Sequence, residues 1–99
     1  MNESEAIAIA RFEIACNLAD VVALSARVLK TGGRLFVVHR PNRLVDLVCT
    51  LRRCNMEPKR MQFVQAGIKS EPSLVLVEAT DHGKPMVEVM PVMVLEPKA

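Results

Sequence analysis

Two side chains able to bind a ligand follow an apolar run in the middle of the chain. His39 and Arg40 come directly after residues 35–38 (Leu-Phe-Val-Val), a run typical of a strand buried on both faces. In open α/β sheets, ligands bind at the edge formed by the carboxyl ends of the strands. At that edge His39 and Arg40 would line the mouth of a pocket, with Arg40 holding a phosphate. The alternative is a hydrogen-bonded imidazole at the strand end beside a solvated Arg40.

Further basic side chains are candidates for contacts with nucleic acid, because phosphate contacts require only well-positioned cations. The set comprises Arg43, Arg52, Arg53, Lys59, Arg60 and Lys69. Acidic residues interleave with them, stacking aromatics are absent, and the net charge is only +2, so a solvated face is the alternative. The candidate substrate- or RNA-binding residues are therefore His39, Arg40, Arg43, Lys59 and Arg60, and no catalytic residue is predicted.

The cysteines and histidines form no metal-binding pattern. Cys16, Cys49 and Cys54 lie in apolar segments without a C-x-x-C pair, and His39 and His82 have no partner at helical spacing. The sequence predicts buried, reduced thiols and no metal site.

Length and composition predict one small domain. Ninety-nine residues, 51% of them hydrophobic, form a core that is marginal without a partner surface. No apolar run approaches the ~20 residues of a membrane span, and the N-terminus is acidic rather than signal-like. We expect a cytoplasmic protein without a membrane partner.

Hydrophobic spacing predicts the order of the elements. Apolar residues at helical spacing predict helix over residues 3–30, and Gly32-Gly33 ends it as a C-cap and turn rather than a phosphate loop. A strand at 34–39 and an amphipathic helix at 42–55 follow. Strands at 59–65 and 73–79 are joined by a link too short for a parallel crossover, so they pair antiparallel. An extended tail at 86–95 completes the chain.

This arrangement leaves one edge of the strand at 34–39 open. The strand is too apolar for a solvent-exposed edge, so another chain or a missing N-terminal segment is expected to cover it.

The same residues resemble a known family. The order of elements is similar to that in the C-terminal half of class I S-adenosylmethionine (SAM)-dependent methyltransferases. That order is a helix, the segment Leu-Lys-Thr-Gly-Gly-Arg-Leu, a strand, a helix, a strand and an antiparallel strand. More narrowly, four segments resemble the bacterial tRNA1(Val) adenine-N6 methyltransferase family, and a Gly83-Lys-Pro85 tail fits it too. The four are residues 10–14 (Ala-Arg-Phe-Glu-Ile), 38–41 (Val-His-Arg-Pro), 57–61 (Glu-Pro-Lys-Arg-Met) and 74–78 (Leu-Val-Leu-Val-Glu).

The resemblance implies an α/β fold, the C-terminal half of a Rossmann-like methyltransferase sheet, with residues 1–99 as a single partial domain. It implies a parent protein that transfers a methyl group from SAM to adenine N6 in tRNA. Members of the family carry a glycine-rich cofactor loop and an Asn-Pro-Pro-Tyr type motif, and this sequence has neither. We therefore predict that the chain alone is inactive and does not bind SAM.

Two functions from other classes stay open. The chain could be a non-enzymatic module that self-associates across its exposed strand edge, or an RNA-binding accessory domain. The first requires no cofactor, and the second requires the basic residues to share one face.

Overall fold

A computed structural model describes residues 7–11 and 18–95, and the side chains of 18–95. Its elements are β1 (Ile7–Arg11), α1 (Leu18–Val28), β2 (Arg34–His39), a 3-10 turn (Pro41–Arg43), α2 (Leu44–Arg53), β3 (Met56–Gln65), β4 (Pro72–Asp81), β5 (Glu88–Val89) and β6 (Met93–Val94).

The strands form one mixed sheet in the order β1-β2-β4-β3-β5, with β6 also paired to β3. β1 is parallel to β2, whereas β4 is antiparallel to both of its neighbours, β2 and β3. The last long strand is thus inserted antiparallel between two strands that run the same way. This arrangement confirms the predicted α/β fold with an antiparallel final strand.

The beginning of the chain differs from the prediction of helix over 3–30. Ile7–Arg11 is a strand, and only Leu18–Val28 is helical among the described residues of that range. The run Ile-Ala-Ile-Ala at 7–10 alternates with period two, as a strand requires, although Ile7, Ala10 and Ile14 also fit helical spacing. Pairing with a neighbouring strand selects the extended conformation over the helix.

β1 also overturns the prediction of an open edge on the strand at 34–39. All five residues of β1 pair in register with β2, from Ile7 opposite Arg34 to Arg11 opposite Val38. The apolar strand β2 is therefore an interior strand with a neighbour on each side. Among the described residues, the outer edge of β1 has no paired strand, so the open edge lies one strand further out.

Both helices pack on one face of the sheet. Alternation along β2 and β4 directs every second residue to this face, where the apolar sides of α1 and α2 cover it. The core is Val22, Leu29, Leu35, Val37, Leu47, Leu51, Met56, Val75, Val77 and Ala79.

Two glycines connect α1 to β2 and fasten this turn to the end of β4. Gly32 adopts φ +86°, a left-handed conformation that favours glycine. A Cβ on Gly33 would lie 2.9 Å from the carbonyl oxygen of Lys30. The Gly32 N–H donates to the Asp81 carbonyl over 3.0 Å, and the Asp81 N–H donates to the Gly33 carbonyl over 2.8 Å. The glycine pair thus forms the turn before β2, as predicted, but it does not cap the helix, because α1 already ends at Val28.

Replacing Gly32 with alanine is expected to lower the free energy of unfolding by about 1 kcal/mol. The added Cβ meets no atom within 4 Å, so the whole cost is the positive φ. Urea unfolding measures the change, with Thr31→Ala, an exposed neighbour, as the control. Equal stability of the two variants would contradict the expected strain.

The second half of the chain differs from the prediction at its strand boundaries. β3 begins at Met56 rather than at Lys59, and Pro58 lies inside it. A register shift between Pro58 and Arg60 forms a bulge, where proline is tolerated because a ladder hydrogen bond is interrupted. The tail predicted to be extended over 86–95 contains β5 and β6, both parallel to β3.

Candidate functional site

The structure brings His39, Arg40 and Arg43 together at the carboxyl end of β2. His39 is the last residue of the strand, and Arg40 is extended, with φ −79° and ψ 142°. Pro41 then begins the 3-10 turn that leads into α2, because its fixed φ suits the first turn of a helix. The Arg43 N–H donates to the Arg40 carbonyl over 3.0 Å, which holds the two arginines on one turn.

The surroundings of His39 favour its neutral imidazole. The backbone N–H of Arg40 donates to its Nδ1 over 2.8 Å, so the ring proton of the neutral form lies on Nε2. Partial burial lowers the pKa of His39 below 6.5, and the charges of Arg43 and Arg40 lower it further, against an opposing effect of Asp46. His39 thus stands at the carboxyl end of β2 with its Nδ1 engaged by the backbone.

A shallow polar groove of about 330 Å³ lies beside this cluster, between the start of α1 and the outer side of α2. Arg43 and Arg53 contribute guanidinium groups to it, and Asp46 lies 3.1 Å from Arg43. Both members of this ion pair are more than half exposed, so the pair leaves guanidinium N–H groups open to solvent. The groove has the chemistry of a phosphate contact rather than of a covalent step.

The structure places Lys59 and Arg60 on β3 and engages both within the protein. The ammonium of Lys59 donates to the carbonyl oxygens of Lys84 and Pro85, over 2.7 and 3.3 Å. Arg60 donates to Glu78. Neither joins the cluster around His39, so the predicted RNA-binding residues fall into two groups.

The cysteines and the possible metal ligands lie at separate positions in the structure. Cys49 is exposed on α2, which corrects the prediction of burial, because it lies on the side of the helix turned away from the sheet. Cys54 is half-buried, and Cys16 lies outside the described residues. In residues 7–11 and 18–95, no three His, Cys, Asp or Glu side chains are grouped so as to hold a metal ion. The helices of this part of the chain are too short and polar to cross a membrane.

Sequence reasoning missed one charged cluster. Glu78 is a nearly buried carboxylate on β4, only 10% exposed, and Arg34 and Arg60 approach it from the strands on either side. Glu78 shares its face with Leu74 and Leu76. A lone acidic residue within the apolar run 74–79 was the available signal, since a buried carboxylate requires a partner.

Lowering the pH from about 8 to about 5 is expected to destabilise the protein partly through His39. Its folded pKa lies below 6.5, whereas an unfolded histidine titrates near 6.5, so the unfolded state gains its proton first. Stability is therefore lost as pH falls through this window and levels off below the folded pKa. His39→Gln should show a smaller loss in urea unfolding. A proton NMR titration of the folded chain with a His39 midpoint at or above 6.5 would refute this.

Comparisons with known proteins show the fold. No family model matches the sequence, and no curated protein matches it. A predicted O-methyltransferase from Agrobacterium tumefaciens, protein Atu636, is similar in structure, with a TM-score of 0.79 and 11% identity over 89% of this chain and 41% of that one. M1.HpyAVI in complex with SAM gives a TM-score of 0.65 and 13% identity, over 95% of this chain and 55% of that one.

A second structure of M1.HpyAVI gives a TM-score of 0.59 and 10% identity over 90% of this chain. At these identities the likeness concerns the fold alone. The chain spans 41 to 55% of the length of these solved structures, so about half of each has no counterpart in it.

Proposed function

We propose that this chain is the C-terminal part of a SAM-dependent methyltransferase, whose parent protein methylates adenine N6 in tRNA in the cytoplasm. The observation that carries the proposal is the sheet order, with antiparallel β4 between β2 and β3, in a fold shared with a SAM complex. The four segments that resemble the tRNA1(Val) adenine-N6 methyltransferases support the narrower substrate.

Methylation of an exocyclic amine requires an extruded base, held so that its nitrogen lone pair faces the methyl group. His39 and Arg40 lie at the edge of the sheet where such a base would enter. In this proposal His39 lies against the base or its ribose, while Arg40 and Arg43 contact phosphate. The acceptors that hold the amine are assigned to the part of the parent that precedes this chain.

The residues of this chain do not fit SAM by themselves. A cofactor loop needs glycine between a strand end and a helix start, where the backbone approaches the ligand closely. The junction from β2 to α2 is Arg40-Pro41-Asn42-Arg43, and the sequence between β1 and α1, residues 12–17, contains no glycine either. Gly32 and Gly33 lie in the turn from α1 to β2 instead. We therefore assign the cofactor to the missing N-terminal half and derive no step through it.

Calorimetric titration of the isolated chain with SAM is expected to give no saturable heat, although circular dichroism should show a folded protein. The reason is the absence of a glycine-containing strand-to-helix junction among the described residues. S-adenosylhomocysteine, which has the same adenosine and no methyl group, serves as a second ligand. Saturable binding of either would show that the cofactor site lies within this chain.

The reaction itself is tested on the longer reading frame. The DNA upstream of the Met1 codon is sequenced, and the joined coding region is expressed and incubated with tRNA and SAM. Mass spectrometry of the digested tRNA should detect N6-methyladenosine, and His39→Ala with Arg40→Ala should reduce its yield. An upstream sequence without a glycine-rich loop and Asn-Pro-Pro motif would contradict the proposal and favour a non-enzymatic module.

One observation favours such a module: no strand of the described part of the chain pairs with the outer edge of β1, and an open edge can pair with a second chain. Binding to tRNA that weakens steeply with salt would favour the RNA-binding alternative, whereas a flat response would exclude it.

A further inference from the structure

The side of the sheet opposite α1 and α2 carries an apolar groove. Alternation turns Phe36 and Val38 of β2 and Leu76 of β4 to this side, and Met90 of the tail borders it. We call these four residues the open face; all are partly exposed, and together they line a groove of about 440 Å³. Neither α1 nor α2 contributes a residue to the lining of this groove. Beneath the groove, β4 pairs antiparallel with β2 and β3. The solvated face of an antiparallel sheet is ordinarily polar, so a bare apolar face of this kind calls for an occupant.

The groove ends at the charged cluster around Glu78. One carboxylate oxygen of Glu78 accepts from Arg60, with Nε at 2.9 Å, and the other lies 3.9 Å from Arg34 Nη1. Two guanidinium groups carry ten N–H donors in total, and one carboxylate cannot satisfy them. Arg34 and Arg60 remain 33% and 48% exposed, so water satisfies the remaining donors in the uncovered state.

A second acidic side chain nearby does not satisfy the remaining N–H donors of the two arginines. Glu88 of β5 stands in register with Arg60, yet it is exposed and forms no ion pair with any residue of the described segments. A molecule that covers the open face would strip water from Arg34 and Arg60. It must then bring acceptors of its own, because desolvated unpaired charge is costly.

The geometry points to an amphipathic α-helix of a partner polypeptide, whose apolar stripe fills the open face and whose adjoining Asp or Glu binds Arg60 and Arg34. About half the length of each solved structure of this fold has no counterpart here, which is polypeptide enough to supply such a helix. A second copy of this chain fits less well, since face-to-face packing would bring two arginine-rich clusters together. The inference goes beyond the proposed function and does not depend on methyl transfer.

Two designed peptides test the inference on the intact chain. Each is a fluorescein-labelled helix of about 18 residues, or five turns, with one leucine stripe. The peptides differ only where they flank the stripe, with Glu in one and Lys in the other. Fluorescence anisotropy should show the Glu peptide binding about tenfold more tightly than the Lys peptide.

Variants locate the site and its charge preference. Val38→Asp should weaken both peptides by about tenfold or more, whereas Val45→Asp, on the outer side of α2, should leave both within about twofold. Arg60→Gln and Arg34→Gln should each reduce the preference for Glu. Having two such variants keeps the test valid if one of them unfolds by circular dichroism.

Three results would overturn the inference. The first is equal affinity of the two peptides, and the second is no binding of either up to about 0.5 mM. The third is a concentration-dependent dimer in sedimentation velocity that Val38→Asp abolishes, because it would identify a second copy as the occupant.

Discussion

Replacing Leu47 with alanine is expected to lower the free energy of unfolding by about 3 kcal/mol. Leu47 of α2 is fully buried and packs in the core cluster that joins both helices to the sheet. Truncation removes buried apolar contacts and leaves a cavity that the rigid strands beneath cannot close. Because small domains are only marginally stable, a loss of this size is a large part of the free energy of unfolding and should clearly lower the urea midpoint.

The matched control lies two residues away on the same helix. Val45 is 74% exposed, so Val45→Ala removes almost no buried surface and slightly favours the helix. We expect a change within about 0.5 kcal/mol for this variant. Similar losses at both positions would mean that α2 is not packed on the sheet through Leu47.

The middle of the fold was predictable because several independent signals agree there. Gly32-Gly33 forms a turn after a helix, an apolar run follows, and Pro41 opens the next helix, so spacing and turn chemistry indicate the same boundaries. The link between β3 and β4 is short, which requires an antiparallel pair. The structure confirms that pairing.

The beginning of the chain was not predictable from the same reasoning. Short apolar runs fit a helix and a strand almost equally well, and only a neighbouring strand makes Ile7–Arg11 extended. That neighbour is more than twenty residues away in sequence, so the local pattern, which also fits helical spacing, does not decide between helix and strand. The bulge at Lys59 is similar, because it depends on the register of β3 against β4.

The candidate site was predictable only in part. His39 and Arg40 were identified by their position after a buried strand, which the topology of an α/β sheet makes meaningful. The sequence prediction placed Lys59 and Arg60 in the same candidate site because it considered only their positive charge and not their partners in the fold. Their partners, the carbonyls of Lys84 and Pro85 and the carboxylate of Glu78, come from distant segments, and only the folded sheet shows that these cations are already engaged.

The second large effect is expected at Glu78. Glu78→Leu should lower the free energy of unfolding by about 2 kcal/mol, because it leaves Arg60 and Arg34 without a counter-ion. The value is below that of a fully buried pair, since both arginines remain partly hydrated. Urea unfolding of this variant, of Arg60→Met and of the double variant forms a double-mutant cycle.

The double variant should recover most of the loss. With the charges of Glu78 and Arg60 removed, a leucine at position 78 packs beside Phe36, its partner in register on β2, and Arg34 is the one charge of the cluster that remains, partly hydrated. We expect a coupling energy between Arg60 and Glu78 of at least about 1 kcal/mol.

The exposed pair of Arg43 and Asp46, 3.1 Å apart, is the control cycle and should couple by less than about 0.5 kcal/mol. Equal coupling in the two cycles would show that Glu78 is as well hydrated as a surface carboxylate. Stronger coupling at Glu78 would mean that its carboxylate is shielded from water, whereas the exposed parts of Arg34 and Arg60 stay hydrated until a covering partner satisfies their remaining donors.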